Sequence, residues 1–313
     1  MGFSHEVKDE LTRVMPDRLC CSKAELAAFF LAGAKITKDN DIMSLQIETE
    51  NAATARKIFS LIKQIYGFSS SVRMEKRKRF NKERIYIVNT PLIGEEESKA
   101  LGEFLNIEGE GRVRGGVRRG LVSRNCCRRS FLRGVFLSRG FVSRPEEQYH
   151  LEISLNDSRL AADVQKIVSK LGVELKKTER KNSVVLYIKD SEKIADFLRI
   201  IEANKALLYF ENVRIIKSMR NDVNRQVNCE TANLAKTIDA SVRQIELLKK
   251  LVKEKGVASL PPHLRELAFL RINYPDLSLK ELGEMLNPPL TKSGVAYRMR
   301  KLEKMAEDLL NEL

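Results

Sequence analysis

Five cysteines, three histidines and a run of arginines are the residues of this 313-residue chain whose types and spacing admit chemistry. Four of the cysteines form adjacent pairs, Cys20-Cys21 and Cys126-Cys127, and Cys229 stands alone. Adjacent cysteines lack the two-residue gap of structural zinc sites, and His5, His150 and His263 are scattered, so buried thiols are expected and no metal. With no glycine-rich phosphate loop and no activated nucleophile pattern, the chain offers no catalytic constellation and calls for no cofactor. The arginines point elsewhere. From Gly111 to Pro145 there is no Asp or Glu and there are ten arginines, among them Arg112, Arg118, Arg119, Arg133, Arg139 and Arg144. A charge run is usually a solvated face, but arginine without lysine or balancing acid favours binding to a phosphate backbone. A second basic stretch, "RMEKRKRFNKER", would as a strand put Arg73, Glu75, Arg77 and Arg79 on one face, with Met74, Lys76, Lys78 and Phe80 on the other.

Bulk properties agree with a polyanionic partner. The formal net charge is +14, which favours nucleic acid, or less often an anionic membrane. At this length about two domains are expected, with a core that needs no disulfides. No segment is apolar for long enough to span a membrane, and "MGFSHEVKDELTRVM" lacks the apolar centre of a signal peptide. A cytosolic protein without membrane or small-molecule partners is therefore expected, its cysteines reduced.

The elements that carry these residues are written twice. When Cys126-Cys127 is laid over Cys20-Cys21, Leu26 meets Leu132, Phe30 meets Phe136 and Leu31 meets Leu137. Without a gap, Leu45 then meets Leu151, Ile47 meets Ile153, Ile58 meets Val164 and Leu61 meets Ile167. Registry over cysteines, strands and a second helix marks an internal duplication, with a period too long for a solenoid. Each half reads helix, two strands, helix, two strands, helix. In the second half the helices are expected over roughly Arg129–Arg139, from Asn156–Ser158 to Leu171, and after Ser191, with a hairpin turn at Lys181-Asn182. In the first half Ser22 and Glu25 have the spacing of a capping box, and "EEESKALGEFL" supplies the last helix. Small residues lie four apart at matching places, Ala28 and Ala32 in one copy, Gly134 and Ser138 in the other. That spacing puts them on one helix face, where two backbones can approach.

This order of elements resembles the LAGLIDADG homing-endonuclease fold. Leu132, Gly134 and Gly140 match the first, third and ninth positions of its motif. In the nucleases the eighth position is acidic, and two such carboxylates, one per helix, hold the metal ions that cut DNA. Here the eighth positions are Gly33 and Arg139, and the sixth are Leu31 and Leu137. Glycine supplies no side-chain oxygen and a protonated guanidinium repels a cation, so the resemblance implies a scaffold whose chemistry has been removed. Arg139 becomes a candidate for a DNA-backbone contact, with pairing to a local carboxylate such as Glu146 as the alternative. In this fold the strands of each half form a saddle on DNA, which makes Arg73, Arg77 and Arg79 candidates too.

The last third lacks strand signals. A polar, Asn-rich connection leads to a helix near Thr231–Lys255 ended by Gly256, and Pro261-Pro262 opens another to Tyr274. Ser278 with Glu281 forms a capping box before "SLKELGEML", "NPPLTKS" turns, and "GVAYRMRKLEKMAEDLL" is the final helix with Val295, Met299, Leu302 and Met305 or Ala306 inward. Short helix, tight turn and basic helix look like a helix-turn-helix, similar to that of the fourth region of sigma factors. Its polar candidates for DNA contact are Ser278, Lys280, Thr291, Lys292, Ser293, Tyr297, Arg298, Arg300 and Lys301.

A degenerate LAGLIDADG pair followed by such a domain resembles the WhiA family over nearly the whole chain. The stretches that carry it are "RRSFLRGVFLSRG", "NRQVNCETANLAKTIDASVRQIE" and "LTKSGVAYRMRKLEKMAE". The fold expected is α+β: duplicated αββαββα halves about a pseudo-two-fold, at 1–110 and 111–218 with an Arg/Gly-rich linker opening the second, then an all-α domain at 219–313. The resemblance implies a bacterial, nucleoid-associated DNA-binding regulator of sporulation, cell division or chromosome segregation, without nuclease activity. Duplex DNA is the partner it implies, with other regulators or a sigma factor as further candidates. The competing readings are an active endonuclease drawing on acids such as Asp39 or Asp41, and an RNA-binding or scaffold protein.

Overall fold

The computed structural model describes residues 2–39, 42–76, 84–92, 106–108, 112–114 and 116–312. These fall into two compact units, Met1–Lys217 and Ser218–Leu313.

In the first unit the duplicated order is present. One half runs α2 (Leu19–Gly33), β1 (Ala34–Asp39), β2 (Ile42–Thr49), α3 (Ala52–Tyr66), β3 (Ser71–Lys76) and β4 (Arg84–Leu92). The other runs α4 (Asn125–Arg139), β7 (Gly140–Val142), β8 (Leu151–Leu155), α5 (Ser158–Ser169), β9 (Lys176–Arg180), β10 (Ser183–Ile188) and α6 (Ser191–Ile200). Both four-stranded antiparallel sheets have the same strand order, β1-β2-β4-β3 and β7-β8-β10-β9, which is the topology an internal duplication requires. The expected last helix of the first half, in "EEESKALGEFL", lies outside the described residues.

Sequence periodicity fixes which faces are buried. Leu45 and Ile47 on β2, and Leu151, Ile153 and Leu155 on β8, alternate inward and pack beneath α2 and α4 in one continuous core. Helix α2 is apolar nearly all round because it lies inside that core; from Ala24 to Phe30 every residue is buried. The two central helices cross where the small residues meet. A Cβ placed on Gly134 would lie 2.6 Å from the Glu25 carbonyl oxygen and 2.8 Å from the Ala28 Cβ, so only glycine permits this approach.

Three local expectations are corrected and one helix is added. Ser22 and Glu25 do not form a capping box: α2 begins earlier, at Leu19, leaving both residues inside the helix with the Ser22 hydroxyl directed to the Arg18 carbonyl. Ser191 is not a cap, since the Asp190 carboxylate accepts from the Glu192 and Lys193 amides. The Arg/Gly-rich segment is more structured than a linker. Arg112–Arg114 (β6) pairs with Asn106–Glu108 (β5), and Arg119–Val122 forms a 3-10 turn. A helix unforeseen in the sequence, α1 (Phe3–Arg13), packs through Phe3, Val7 and Leu11, whose four-residue spacing is the signal that marks it.

The largest correction is α7, which runs from Asn204 to Lys255, 52 residues, instead of starting near Thr231. Its stretch contains no Gly or Pro, and the asparagines that read as a connection are weak helix formers rather than breakers. Ser218–Lys255 of this helix belongs to the second unit, which continues with α8 (Pro262–Asn273), α9 (Leu279–Met285) and α10 (Lys292–Glu312). Leu248, Leu251, Leu264, Leu267, Leu282, Val295, Met299, Leu302 and Ala306 form its core, as the helical spacing expects for α10. No helix among the described residues is long and apolar enough to cross a membrane.

Candidate nucleic-acid interface

At the ends of α2 and α4 the two eighth motif positions face one another. A Cβ on Gly33 would stand 4.0 Å from Nη2 of Arg139, and Arg139 Nε donates to the Ala32 carbonyl at 2.8 Å. The guanidinium therefore caps the last turn of the opposite helix, where unsatisfied carbonyls gather the negative end of the helix dipole. Its alternative partner is taken: Glu146 accepts from the Tyr209 hydroxyl, which holds the carboxyl below the usual range. Around the pair lies a cavity of about 690 Å³ lined by His5, Lys8, Lys35, Glu48, Glu50 and Asn156 among others. Burial pulls the Lys8 ammonium below the ordinary lysine value, with Glu50 opposing and Arg139 adding to the shift. Lys35 pairs with Glu48 at 2.9 Å.

This donor set does not fit the metal ions of the nuclease fold. Two bridging cations need carboxylates at the paired eighth positions, whereas these hold a glycine and a guanidinium, and the carboxylates of the surrounding cavity, Glu48 and Glu50, stand beside Lys35 and Lys8. Asp39 ends β1, and Asp41 lies outside the described residues.

The arginine run is not one patch. Arg124 and Arg139 bracket α4, so the charges around them are separated by the length of a 15-residue helix, about 20 Å. Arg128 is spent on the chain itself, donating to the Val122 and Ser123 carbonyls and to Asn125 Oδ1. Arg133, read from the sequence as part of a backbone-binding run, is 2% exposed. Its Nη2 lies 3.0 Å from Glu25 Oε2 and its Nη1 2.5 Å from Glu202 Oε2. Glu25 also pairs with Lys57 at 2.5 Å, and Lys57 donates further to the carbonyls of Leu11 and Val14 at the end of α1. Burial opposes the Arg133 charge, but Glu25 and Glu202 outweigh it and raise its pKa; burial lowers that of Lys57. Sequence reasoning missed this network because its charges, far apart along the chain, meet only across packed helices. Arg118 and Arg119, at the start of the 3-10 turn, are exposed.

Strand register settles the faces of the sheets. Arg73 pairs with Ile87, which pairs with Glu48, so Arg73, Glu75, Glu48 and Lys35 share the face away from the helices. Arg73 Nε is 3.3 Å from Glu75 Oε1, so the described basic side chains of this face, Lys35 and Arg73, are both ion-paired. Arg77 and Arg79 lie outside the described residues. On the second sheet the equivalent face carries Lys176, Arg180 and an exposed Phe141, with Arg180 3.3 Å from Glu152.

In the second unit Lys292, Ser293, Tyr297, Arg298, Arg300 and Lys301 lie on α10, Ser278 and Lys280 at the start of α9, and Thr291 just before α10. Ser278 caps α9: Glu281 N donates to its hydroxyl, and Ser278 N to Glu281 Oε2 at 2.7 Å, which holds the Glu281 carboxyl below its ordinary value. A Cβ on Gly283 would sit 2.3 Å from the Leu290 carbonyl oxygen, which is how tightly the turn closes on α9. Thr291 caps α10 through the Gly294 amide and touches the Ser293 hydroxyl. Lys292, Ser293, Tyr297, Arg300 and Lys301 are exposed, with Lys301 Nζ 4.9 Å above the Tyr297 ring. Lys304, absent from the sequence candidates, continues this exposed side one turn beyond Arg300 and Lys301. Arg298 is different: half-buried, it donates to the His263 carbonyl at 3.0 Å and ties α10 to the start of α8. Lys280 pairs loosely with Glu284.

Comparison with known proteins decides the family. The model for the WhiA N-terminal LAGLIDADG-like domain matches residues 19–102, that for the WhiA LAGLIDADG-like domain 128–220, and that for the WhiA C-terminal HTH domain 223–306. The chain belongs to the WhiA family. It is 54% identical over 315 residues to a probable cell division protein WhiA of Syntrophomonas wolfei subsp. wolfei, covering 100% of both chains. A WhiA of Heliobacterium modesticaldum bearing the same description is 46% identical, over 98% of this chain and 96% of that one. Among solved structures, full-length DUF199/WhiA from Thermatoga maritima is similar with a TM-score of 0.60 and 28% identity, covering 98% of this chain and 99% of its own. The WhiA relative of known structure thus matches this chain over both units.

Proposed function

We propose that this WhiA-family chain is a sequence-specific DNA-binding regulator acting in cell division, chromosome segregation or sporulation, without nuclease activity, and associated with the nucleoid. The observation that carries the reading is the base of the helix pair, where Gly33 and a carbonyl-bound Arg139 hold the two eighth motif positions, among Lys8, Lys35, Glu48 and Glu50. The glycine–arginine pair offers no carboxylate to a cation, and the guanidinium suits phosphate oxygens. The exposed side of α10, with Lys292, Ser293, Tyr297, Arg300 and Lys301, supplies the groups that read bases, and Thr291, Ser278 and Lys280 frame it. Arg118 and Arg119, with Arg73, Arg77 and Arg79, are the backbone contacts of the first unit, whose halves divide near residue 110. Duplex DNA is the partner, and another regulator or a sigma factor is the protein partner the reading allows.

Fluorescence-anisotropy titration of a cognate promoter duplex against a random duplex tests the reading. Arg300→Ala with Lys301→Ala is expected to weaken the cognate complex by about 1–3 kcal/mol for a base contact, leaving random DNA nearly unchanged. In the same preparation, supercoiled plasmid with Mg²⁺ stays intact. Site-specific nicking that disappears on replacing Asp39 or Asp41 would overturn the assignment in favour of an endonuclease.

A further inference from the structure

The two cysteine pairs, far apart in sequence, meet in the fold. Cys20 and Cys21 stand in the first turn of α2, Cys126 and Cys127 in the first turn of α4, and the duplication sets these turns side by side. The sulfurs of Cys20, Cys21 and Cys127 all lie within 4.8 Å of one another. Cys126 stands beside Cys127 in the same turn and lines one cavity with Cys21. All four are free thiols; Cys21 and Cys127 are buried, and Cys20 and Cys126 are half-exposed.

We propose that Cys20, Cys21, Cys126 and Cys127 form a binding site for one thiophilic divalent cation of the zinc class, seated across the pseudo-two-fold between α2 and α4. The expectation of inert thiols rested on spacing along one chain segment, which is blind to a partner helix. In three dimensions the set has the four sulfur donors of a closed structural site. Metal–sulfur bonds of about 2.3 Å place tetrahedral ligands about 3.8 Å apart, so the sulfurs of Cys20, Cys21 and Cys127 reach that geometry by changes of about 1 Å or less, and Cys126, outside their 4.8 Å circle, moves further to close the set.

Charge favours the same occupant. A dication held by four thiolates carries a net charge of about −2, and it would sit at the positive ends of two helix dipoles. Arg18 and Arg129 line a cavity of about 380 Å³ that reaches Cys21 and Cys126, and this gives an ion a way in. Arg133 and Glu202 of the buried network line the same cavity, so the site adds a tie between helices already joined by Glu25 and Arg133. Binding exchanges thiol protons for the metal, with no change of oxidation state.

Co²⁺ titration of the full-length protein, prepared with reductant and stripped by chelator, reads the coordination directly. One equivalent per chain should give the intense visible bands and sulfur-to-metal charge transfer of tetrahedral thiolate ligation, which Zn²⁺ then bleaches stoichiometrically. Cys229→Ser keeps this spectrum; Cys20→Ser and Cys126→Ser, both at half-exposed positions, each reduce its intensity and lower Co²⁺ affinity at least tenfold while the far-ultraviolet dichroism stays native. A weak octahedral spectrum, binding unaffected by either substitution, or oxidation to a cross-helix disulfide with no metal retained would each overturn the proposal.

Discussion

Helices α2 and α4 are copies of one element, and they differ where they touch. Glu25 on α2 lies over Phe131 of α4 in the repeat, Arg133 over Ala27, Gly134 over Ala28, and Arg139 over Gly33. Each departure is answered on the other helix. Glu25 receives Arg133, Gly134 makes room for the Glu25 carbonyl and Ala28, and Gly33 leaves space beside Arg139. A symmetric dimer would write the Glu25–Arg133 contact twice and would set position 33 against its own copy, so glycine could not stand opposite arginine there. Joining the copies in one chain frees the two sides to become complementary, with acid and small residues on one and guanidinium groups on the other. The same asymmetry that locks the core also removes the paired carboxylates the nuclease fold depends on.

The sharpest way to break this comparison is to remove its buried charge from one side. Arg133→Met leaves Glu25 with Lys57 alone in the core and strands Glu202, and losing one member of a buried ionic network costs about 3–5 kcal/mol. Urea unfolding followed by circular dichroism should show a midpoint shift of that order. A loss below about 1 kcal/mol would mean that packing, not complementary charge, holds the two helices together.

A smaller effect is expected at the crossing point. Gly134→Ala puts a methyl 2.6 Å from the Glu25 carbonyl oxygen, so the helices must separate, at about 1–3 kcal/mol. Adding Ala28→Gly relieves the 2.8 Å Cβ–Cβ contact but not the clash with backbone, so the double variant should recover only part of the loss. Full recovery would place the constraint between side chains and weaken the reading that the backbones set the approach.

How much of this was legible in the sequence follows from the range of the forces involved. Periodicity, turns and the repeat are local or near-local signals, and they give the element order, the sheet faces and the inward side of α10. The small residues at Ala28 and Gly134 were readable because one helix face is encoded at four-residue spacing. Charges that act across the pseudo-two-fold were not. Arg133 looks from its neighbours like one more member of a basic run, and only the partner helix shows that it is buried. The cysteine pairs fail for the same reason, as do the paired charges Lys35 with Glu48 and Arg180 with Glu152, which meet across strands. The length of α7 was missed for the opposite cause: polar residues argue for a connection, yet nothing in the stretch stops a helix once it has begun.

The smallest effect has the opposite sign, and it separates space from sequence motif. Gly33 and Gly134 are both helical glycines of the repeat, but a Cβ on Gly33 meets only Nη2 of Arg139 at 4.0 Å, an ordinary contact. Gly33→Ala therefore trades backbone freedom in the unfolded chain for a better helix former, worth up to about 0.5–1 kcal/mol in favour of folding. The carbonyl bond from Arg139 to Ala32 stays in place, since the added methyl does not stand between donor and acceptor. Urea midpoints of Gly33→Ala and Gly134→Ala, measured side by side, should move in opposite directions. If Gly33→Ala destabilises by as much as Gly134→Ala, the base of the helix pair is as tightly closed as its crossing, and Arg139 has no room to turn toward a phosphate.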